Sequence, residues 1–342
     1  MGKYFITGGA GFIGSAFVRI VIEQEPDAEI INFDALTYAG NLENVSDIPT
    51  DRHRFVRGNI CSPEDVLAAL PKDCDAIFNF AAESHVDRSI HSAEEFLQTN
   101  VVGTQVLLDA AREKGVRRFV QISTDEVMGS LPEDTDEYFT EDSPLQPNSP
   151  YAASKAAAEF MVRAARETFG LDTVITRCGN NYGPRQFPEK LIPLMLANAM
   201  RDEPLPVYGD GKNVRDWIYV DDHCRAIWLA YEKGQSGEVY NIGARNERRN
   251  IDVVKSLLDA LGKPHSLIKF VSDRLGHDRR YAIDATKAEN ELGWSPQLSW
   301  DDGLAHTIDW YRSNQAWVDH IRNGEYRDYY KNLYGARLES AI

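Results

Sequence analysis

Two groups of residues in this chain have the types and spacing for chemistry. The first is "STDE", Ser123 to Glu126, which closes the apolar run "RRFVQI". Adjacent carboxylates repel each other and add nothing to an apolar core. Asp125 and Glu126 are therefore either a solvated strand end or a placed acid and base. The second group is "YAASK", where Tyr151 and Lys155 stand one helical turn apart on the same face. An ammonium beside a phenol favours phenolate, bringing a group of reference pKa about 10 towards neutral pH as a usable base. Ser123 or Thr124 at the strand end can hydrogen-bond a reacting alcohol.

"FITGGAGFIGS" places Gly8, Gly11 and Gly14 between a strand and a helix, where a pyrophosphate sits on a helix N-terminus. The spacing is G-x-x-G-x-x-G, a variant associated with short-chain dehydrogenases. Asp34 ends the next strand, "IINFD". A carboxylate there accepts hydrogen bonds from the ribose hydroxyls of NAD and repels the 2′-phosphate of NADP. With Tyr151 and Lys155, these are the parts needed to oxidise a secondary alcohol by hydride transfer to NAD.

The elements that must position these parts alternate along the first half. Strands are expected at 3–7, 28–34, near 53–60 and 75–82, and at 116–124 and 172–177. Helices are expected at 11–24, at about 94–114 and from Pro150–Tyr151. Doubly buried strands alternating with helices imply a Rossmann-type doubly wound parallel sheet. After Arg177 the texture becomes Gly-, Pro- and Asn-rich, without a second βαβ series. The expected division is a NAD-binding domain at 1–178 and a smaller α/β domain, mainly substrate-binding, at 179–342. Segments within about 214–245, including "EVYNIG", are candidates to return to the first.

The chain has 342 residues, 43% apolar and 26% charged, enough for a large core. A net charge of −16 argues against a nucleic-acid or anionic-membrane surface, and no apolar run reaches the length of a membrane span. Cys61, Cys74, Cys178 and Cys224 are scattered with no C-x-x-C, so reduced thiols are expected, with no metal set. The first strand begins at Lys3, leaving no room for a signal peptide, and the expected compartment is the cytoplasm.

"TGGAGFIGS", "FDALTYAGNLENV", "NFAAESHVDRSI", "STDEV", "SPYAASKA", "NNYGPRQFPEKLIPL", "YGDGKNVRDWIYVDDH", "NERRNIDVV" and "DRLGHDRRYAID" follow one another along the chain. Together they resemble the extended short-chain dehydrogenase/reductases that act on nucleotide sugars, in the NDP-sugar dehydratase branch. Only the tail beyond about Trp310 is weakly covered. The resemblance implies NAD held by Gly8, Gly11, Phe12, Ile13, Gly14, Asp34, Ala35, Leu36, Thr37, Asn59, Ile60, Phe80, Ala81, Ala82, Ser84, Thr99, Tyr151, Lys155 and Asn181. It implies substrate contacts from Ser84, Thr124, Asn180, Lys190, Leu191, Asn250 and His277, with Pro206, Val207 and Tyr208 beside the base. Arg215 would meet phosphate, helped by Arg279 or Arg280.

The implied reaction is dehydration of an NDP-glucose, dTDP-glucose foremost, to a 4-keto-6-deoxy sugar. Tyr151 would be the base for C4 oxidation, with Lys155 tuning it and Thr124 bonded to the substrate. Glu126 would take the C5 proton and Asp125 protonate the C6 hydroxyl as it leaves, before hydride returns to C6. The sequence itself leaves open which carboxylate is which, since neighbours on an extended segment point apart. Alternatives are UDP- or CDP-glucose as substrate, or a 4-epimerase or decarboxylase on the same fold. An epimerase needs only Tyr and Lys, so the carboxylate pair argues against it. The resemblance also implies a homodimer, the helices near 94–114 and 151 pairing into a four-helix bundle through positions such as Phe96, Val101, Leu107 and Phe160.

Three departures from the family pattern stand out. Met128 occupies the place of a Tyr, where a thioether cannot donate the hydrogen bond of a phenol. Asn59 occupies the place of an Asp that would face adenine. The tail "WVDHIRNGEYRDYYKNLYGARLESAI" is longer and more charged than the pattern.

Overall fold

Along the first strand, Lys3–Thr7, alternate side chains serve opposite faces of one sheet. Ile6 joins Ile30, Phe78 and Val120 under Phe17, Val21, Ile227 and Trp228, while Phe5 joins Ile31, Ile77 and Phe119 under Val66, Leu107, Leu108 and Val162. Both faces are covered by helices, which is why these strands read as continuous apolar runs. The computed structural model describes residues 1–322 and 325–339.

The sheet has seven parallel strands in the order Val239–Ile242, Thr173–Cys178, Arg118–Thr124, Ala76–Asn79, Lys3–Thr7, Glu29–Asp34 and His53–Arg57. The order reverses between Lys3–Thr7 and Ala76–Asn79, and ligands of such sheets bind at the carboxyl ends beside that point. "EVYNIG" supplies the seventh strand, which pairs Tyr240 with Thr176, and the helix Val220–Lys233 packs on Phe12–Gln24. The chain thus leaves the seven-stranded sheet after Cys178 and rejoins its layers at Val220 through that helix.

The segment 94–114 is helical throughout, with a π-helical stretch at Leu97–Gly103. This widened turn turns Thr99 to the cleft, while Asn100 accepts from Glu83 N at 2.9 Å and donates to Ser154 Oγ at 2.8 Å. Phe96 and Leu107, expected on a helix-pairing face, are buried at 1% and 0% exposure; the intramolecular core takes them. Val101 is half-buried. Phe160, at 57% exposure, stays on the surface, as do Leu97 and Val102.

The second unit has its own core, in which Tyr182, Trp217, Leu257, Trp300, Tyr311 and Trp317 are buried together. Two small sheets belong to it. Glu247–Arg249, Val214–Tyr219 and Asn180–Tyr182 form one, and Leu205–Tyr208 pairs with Ile268–Val271 in the other. The long tail folds back as helices Gln315–Arg322 and Glu325–Glu339, burying Trp317, Val318 and Tyr334 in this core. Its residues 323–324 and 340–342 lie outside the described residues. Among the described residues no helix is long and apolar enough to cross a membrane.

Candidate active site

One cleft runs across the carboxyl ends of the central strands, from Gly8 at one end to Tyr208 at the other. At the first end the glycine turn makes a close cradle. Gly8 has φ +67°, and a Cβ on it would lie 2.7 Å from Ala81 N; on Gly14 it would lie 2.2 Å from Gly8 O. Gly11 precedes the helix Phe12–Gln24, and no side chain caps it, which leaves first-turn amides for an anion. Asp34 Oδ2 accepts from Ala10 N at 3.0 Å and Oδ1 from Leu36 N at 2.8 Å, so the carboxylate holds both loops and keeps acceptor sites for a ribose. These residues fit NAD.

Phe12, Ile13, Ala35, Thr37, Asn59, Ile60, Phe80, Ala81, Ala82, Ser84, Thr99 and Asn181 all line the cleft. Leu36 does not: it sits at φ +54° and its side chain packs over Gly40. Asn59 Oδ1 accepts from Cys61 N at 2.9 Å, a turn bond that an amide can make as well as a carboxylate.

At the reaction end, Thr124, Asp125, Glu126, Tyr151 and Lys155 line one stretch of the cleft. The two acids are not on extended backbone as expected. They open the 3₁₀ turn Asp125–Met128, so both face the cleft. Thr124 Oγ1 accepts from Glu126 N and donates to Asp125 Oδ1, each at 3.3 Å. Ser149 caps the helix Pro150–Phe169 by accepting from Ala152 N at 3.1 Å, which sets Tyr151 in its first turn and Lys155 one turn on.

The electrostatics separate the two carboxyls. Burial pushes Asp125 well above the usual carboxylate range, and the charge of Glu126 adds to it. Burial also raises Glu126, but Arg274, Lys190 and Arg215 all pull it back. Both environments raise the carboxyl, that of Asp125 far more, so of the two Asp125 holds its proton more firmly. Tyr151 is pushed well above its ordinary value by burial and then by Glu126, while its hydrogen bond with Thr124 works the other way. Lys155 is pulled down to about 8 by burial, its Nζ donating to Ile122 O at 2.7 Å.

On the substrate side, Asn180, Lys190, Leu191, Pro206, Val207, Tyr208, Arg215, Asn250 and His277 line the cleft. Arg215 donates to Val214 O at 2.7 Å and Asp278 O at 2.8 Å, and its guanidinium lies 4.2 Å over the Tyr281 ring. Burial lowers the Arg215 pKa, while the charges of Glu126 and Asp125 act to raise it. Lys190 Nζ donates to Ser84 O at 2.7 Å. His277 shares a hydrogen bond of 2.6 Å with Asp273, and burial pushes its pKa down.

Arg280 is not in the cleft. Its fork is taken by Glu247 at 3.0 Å and by Glu137 O at 2.8 Å. Arg279 is likewise paired, with Glu133 and Asp210. Arg274, three residues before His277 and not among the expected residues, does line the cleft. Glu83, His85, Glu189, Tyr281 and Tyr334 also line the cleft and were not among the expected residues. Met128 needs the opposite correction. It is buried with Val127, Phe139, Ala156 and Tyr281, its Sδ 3.8 Å from Arg177 Nη1, and it is absent from the cleft wall.

Comparison with known proteins shows the family. The family model described as GDP-mannose 4,6 dehydratase matches residues 5–307. The dTDP-glucose 4,6-dehydratase of Xanthomonas campestris pv. campestris (strain B100) is 50% identical over 96% of this chain and 98% of its own length. That of Escherichia coli (strain K12) is 46% identical over 98% and 99%. The crystal structure of DesIV, a dTDP-glucose 4,6-dehydratase from Streptomyces venezuelae with NAD bound, superposes with a TM-score of 0.90 at 51% identity, covering 93% of this chain and 99% of that one. A UDP-glucose 4-epimerase from Thermotoga maritima superposes at 0.84 with 31% identity, over 92% and 99%. The chain belongs to the dTDP-glucose 4,6-dehydratase branch of the extended short-chain dehydrogenase/reductase family.

Proposed function

We propose that this protein is a NAD-dependent hydro-lyase that converts dTDP-glucose to dTDP-4-keto-6-deoxyglucose and water. The observation that carries this reading is the pair Asp125–Glu126, two acids in unequal environments on the wall shared with Tyr151 and Lys155. Bound NAD supplies the two-electron acceptor that takes hydride from C4 and gives it up at C6. Thr124 and Tyr151 meet the C4 hydroxyl, and Tyr151 takes its proton. The C4 carbonyl that results makes the C5 proton acidic. Glu126 takes that proton, and Asp125, whose burial favours the protonated form, gives one to the C6 hydroxyl as it leaves as water. Glu126 returns its proton to C5 as hydride reaches C6. Arg215 and Arg274 hold the pyrophosphate, and Pro206 to Tyr208 flank the base.

The same pair separates this reading from epimerisation, which has no use for a second acid. Purified protein supplied with NAD is incubated with dTDP-glucose, and the product is weighed by mass spectrometry. Loss of one water with a 4-keto product supports the reading; a C4 epimer alone overturns it. Parallel incubations with UDP- and CDP-glucose test the base. We further infer a homodimer joined through the helices at 94–114 and 150–169, supported by exposed Leu97, Val102 and Phe160 there. A cytoplasmic setting is supported by four free cysteines, three of them buried.

A further inference from the structure

The C-terminal tail returns to the cleft at the end opposite the glycine turn. Tyr334, on the helix Glu325–Glu339, is buried and lines the cleft beside Tyr208. The two rings stack, with centroids 6.0 Å apart and planes at 27°. The Arg337 guanidinium lies 5.0 Å from the centroid of the same Tyr208 ring. Tyr208 is therefore held by two residues of one helical turn, and its strand, Leu205–Tyr208, lines the cleft where a base is expected.

This helix is firmly seated. Tyr330 packs on Tyr334 with centroids 5.0 Å apart and planes at 42°, and its hydroxyl accepts from Asn198 Nδ2 at 3.0 Å. The preceding helix is tied to the cofactor end. Trp317 Nε1 donates to Asn44 Oδ1 at 3.0 Å, and Asn44 Nδ2 donates to Ala10 O, within the glycine turn, at 2.9 Å. The tail thus spans the site from one end to the other.

We propose that the C-terminal helix forms the base-side wall of the nucleotide-sugar site, Tyr334 presenting an aromatic face to the nucleobase and Arg337 fixing the Tyr208 ring beside it. Every base has a π face, so a planar aromatic pair of this kind suits a nucleobase, whereas a phosphate offers nothing to stack. The relatives align over 96–98% of this chain, so the tail does not exceed the family pattern as expected from the sequence, and holding the nucleobase is its task here. This inference rests on the nucleotide-sugar reading of the cleft.

The test uses the full-length protein. Binding of dTDP and of inorganic pyrophosphate is measured by calorimetry for wild type, Tyr334→Leu, Tyr334→Phe and Arg337→Ala, with melting temperature and retained NAD recorded for each. Tyr334→Leu is expected to weaken dTDP about tenfold, the loss of one stacked ring, while pyrophosphate binding holds. Tyr334→Phe should restore dTDP binding, and Arg337→Ala should cost a few-fold. The KM for dTDP-glucose should follow dTDP binding, with kcat little changed. Equal losses of dTDP and pyrophosphate, or unchanged dTDP binding in both Tyr334→Leu and Arg337→Ala, overturn the proposal. If wild type binds dTDP but does not dehydrate dTDP-glucose, the reaction assignment fails while the wall is still tested by dTDP binding.

Discussion

Asp125 and Glu126 are bonded neighbours that occupy one cleft wall in unequal electrostatic settings, both raised by burial and Asp125 the more strongly. Asp125 is buried against Thr124 and feels the charges of Glu126 and Asp216, whereas Glu126 faces Arg274, Lys190 and Arg215. The division of labour follows from the surroundings and not from the residue types. Glu126→Gln is expected to oxidise bound dTDP-glucose at C4, seen as absorbance of the reduced nicotinamide, yet to lose about 10²–10⁴-fold in release of water. Dehydration at the wild-type rate would remove Glu126 from the C5 step.

Lys155 carries the pH dependence on the alkaline side. Its pKa is lowered to about 8 by burial, so its ammonium is present below that value and lost as pH rises through it. A reaction that uses the ammonium should show kcat/KM falling above about pH 8. The profile of Lys155→Met should lack that limb, with a rate reduced at every pH. A wild-type profile flat to pH 10 would contradict the assignment.

Much of this was legible in local pattern. The glycine turn, the acids at a strand end and the Tyr–Lys pair are each set by a few adjacent residues, and the structure joins them in one cleft. What was not legible depends on distant partners. "DRLGHDRR" holds three arginines of one type, and only the folded loop decides that Arg274 meets the cleft while Arg280 turns to Glu247. Arg280 also makes backbone bridges to Leu131 and Val214, which turn that stretch of chain away. Phe96 and Phe160 read alike as apolar helix positions, yet one is core and the other surface. The tail's return to Tyr208 has no local signature at all.

The hold on Arg215 gives a graded series. Its guanidinium rests on the Tyr281 ring, and Tyr281 OH donates to Asp278, whose backbone carbonyl in turn accepts from Arg215. Arg215→Ala should raise the KM for dTDP-glucose by one to two orders of magnitude, as loss of a charge-assisted phosphate contact of about 1.5–3 kcal/mol predicts. Tyr281→Phe keeps the ring and should raise KM only a few-fold. Arg280→Ala should leave KM near wild type and lower the melting temperature, because its partners are structural. A KM effect from Arg280→Ala equal to that from Arg215→Ala would reverse the correction.

Phe160 offers the cleanest test of assembly. It is 57% exposed on the helix that carries Tyr151 and Lys155, and Leu97 and Val102 are exposed on the neighbouring helical segment. Burying such a face in a partner removes apolar surface at roughly 25 cal/mol per Å². A charge placed there and forced against its symmetry mate should split the pair. Phe160→Asp is therefore expected to shift the molar mass from dimer to monomer by light scattering, while the monomer keeps its circular dichroism. The side chain makes no part of the cleft wall, so any fall in activity would report support of the Tyr151 helix by the partner. A wild-type protein that is monomeric at every concentration measured would end the dimer proposal.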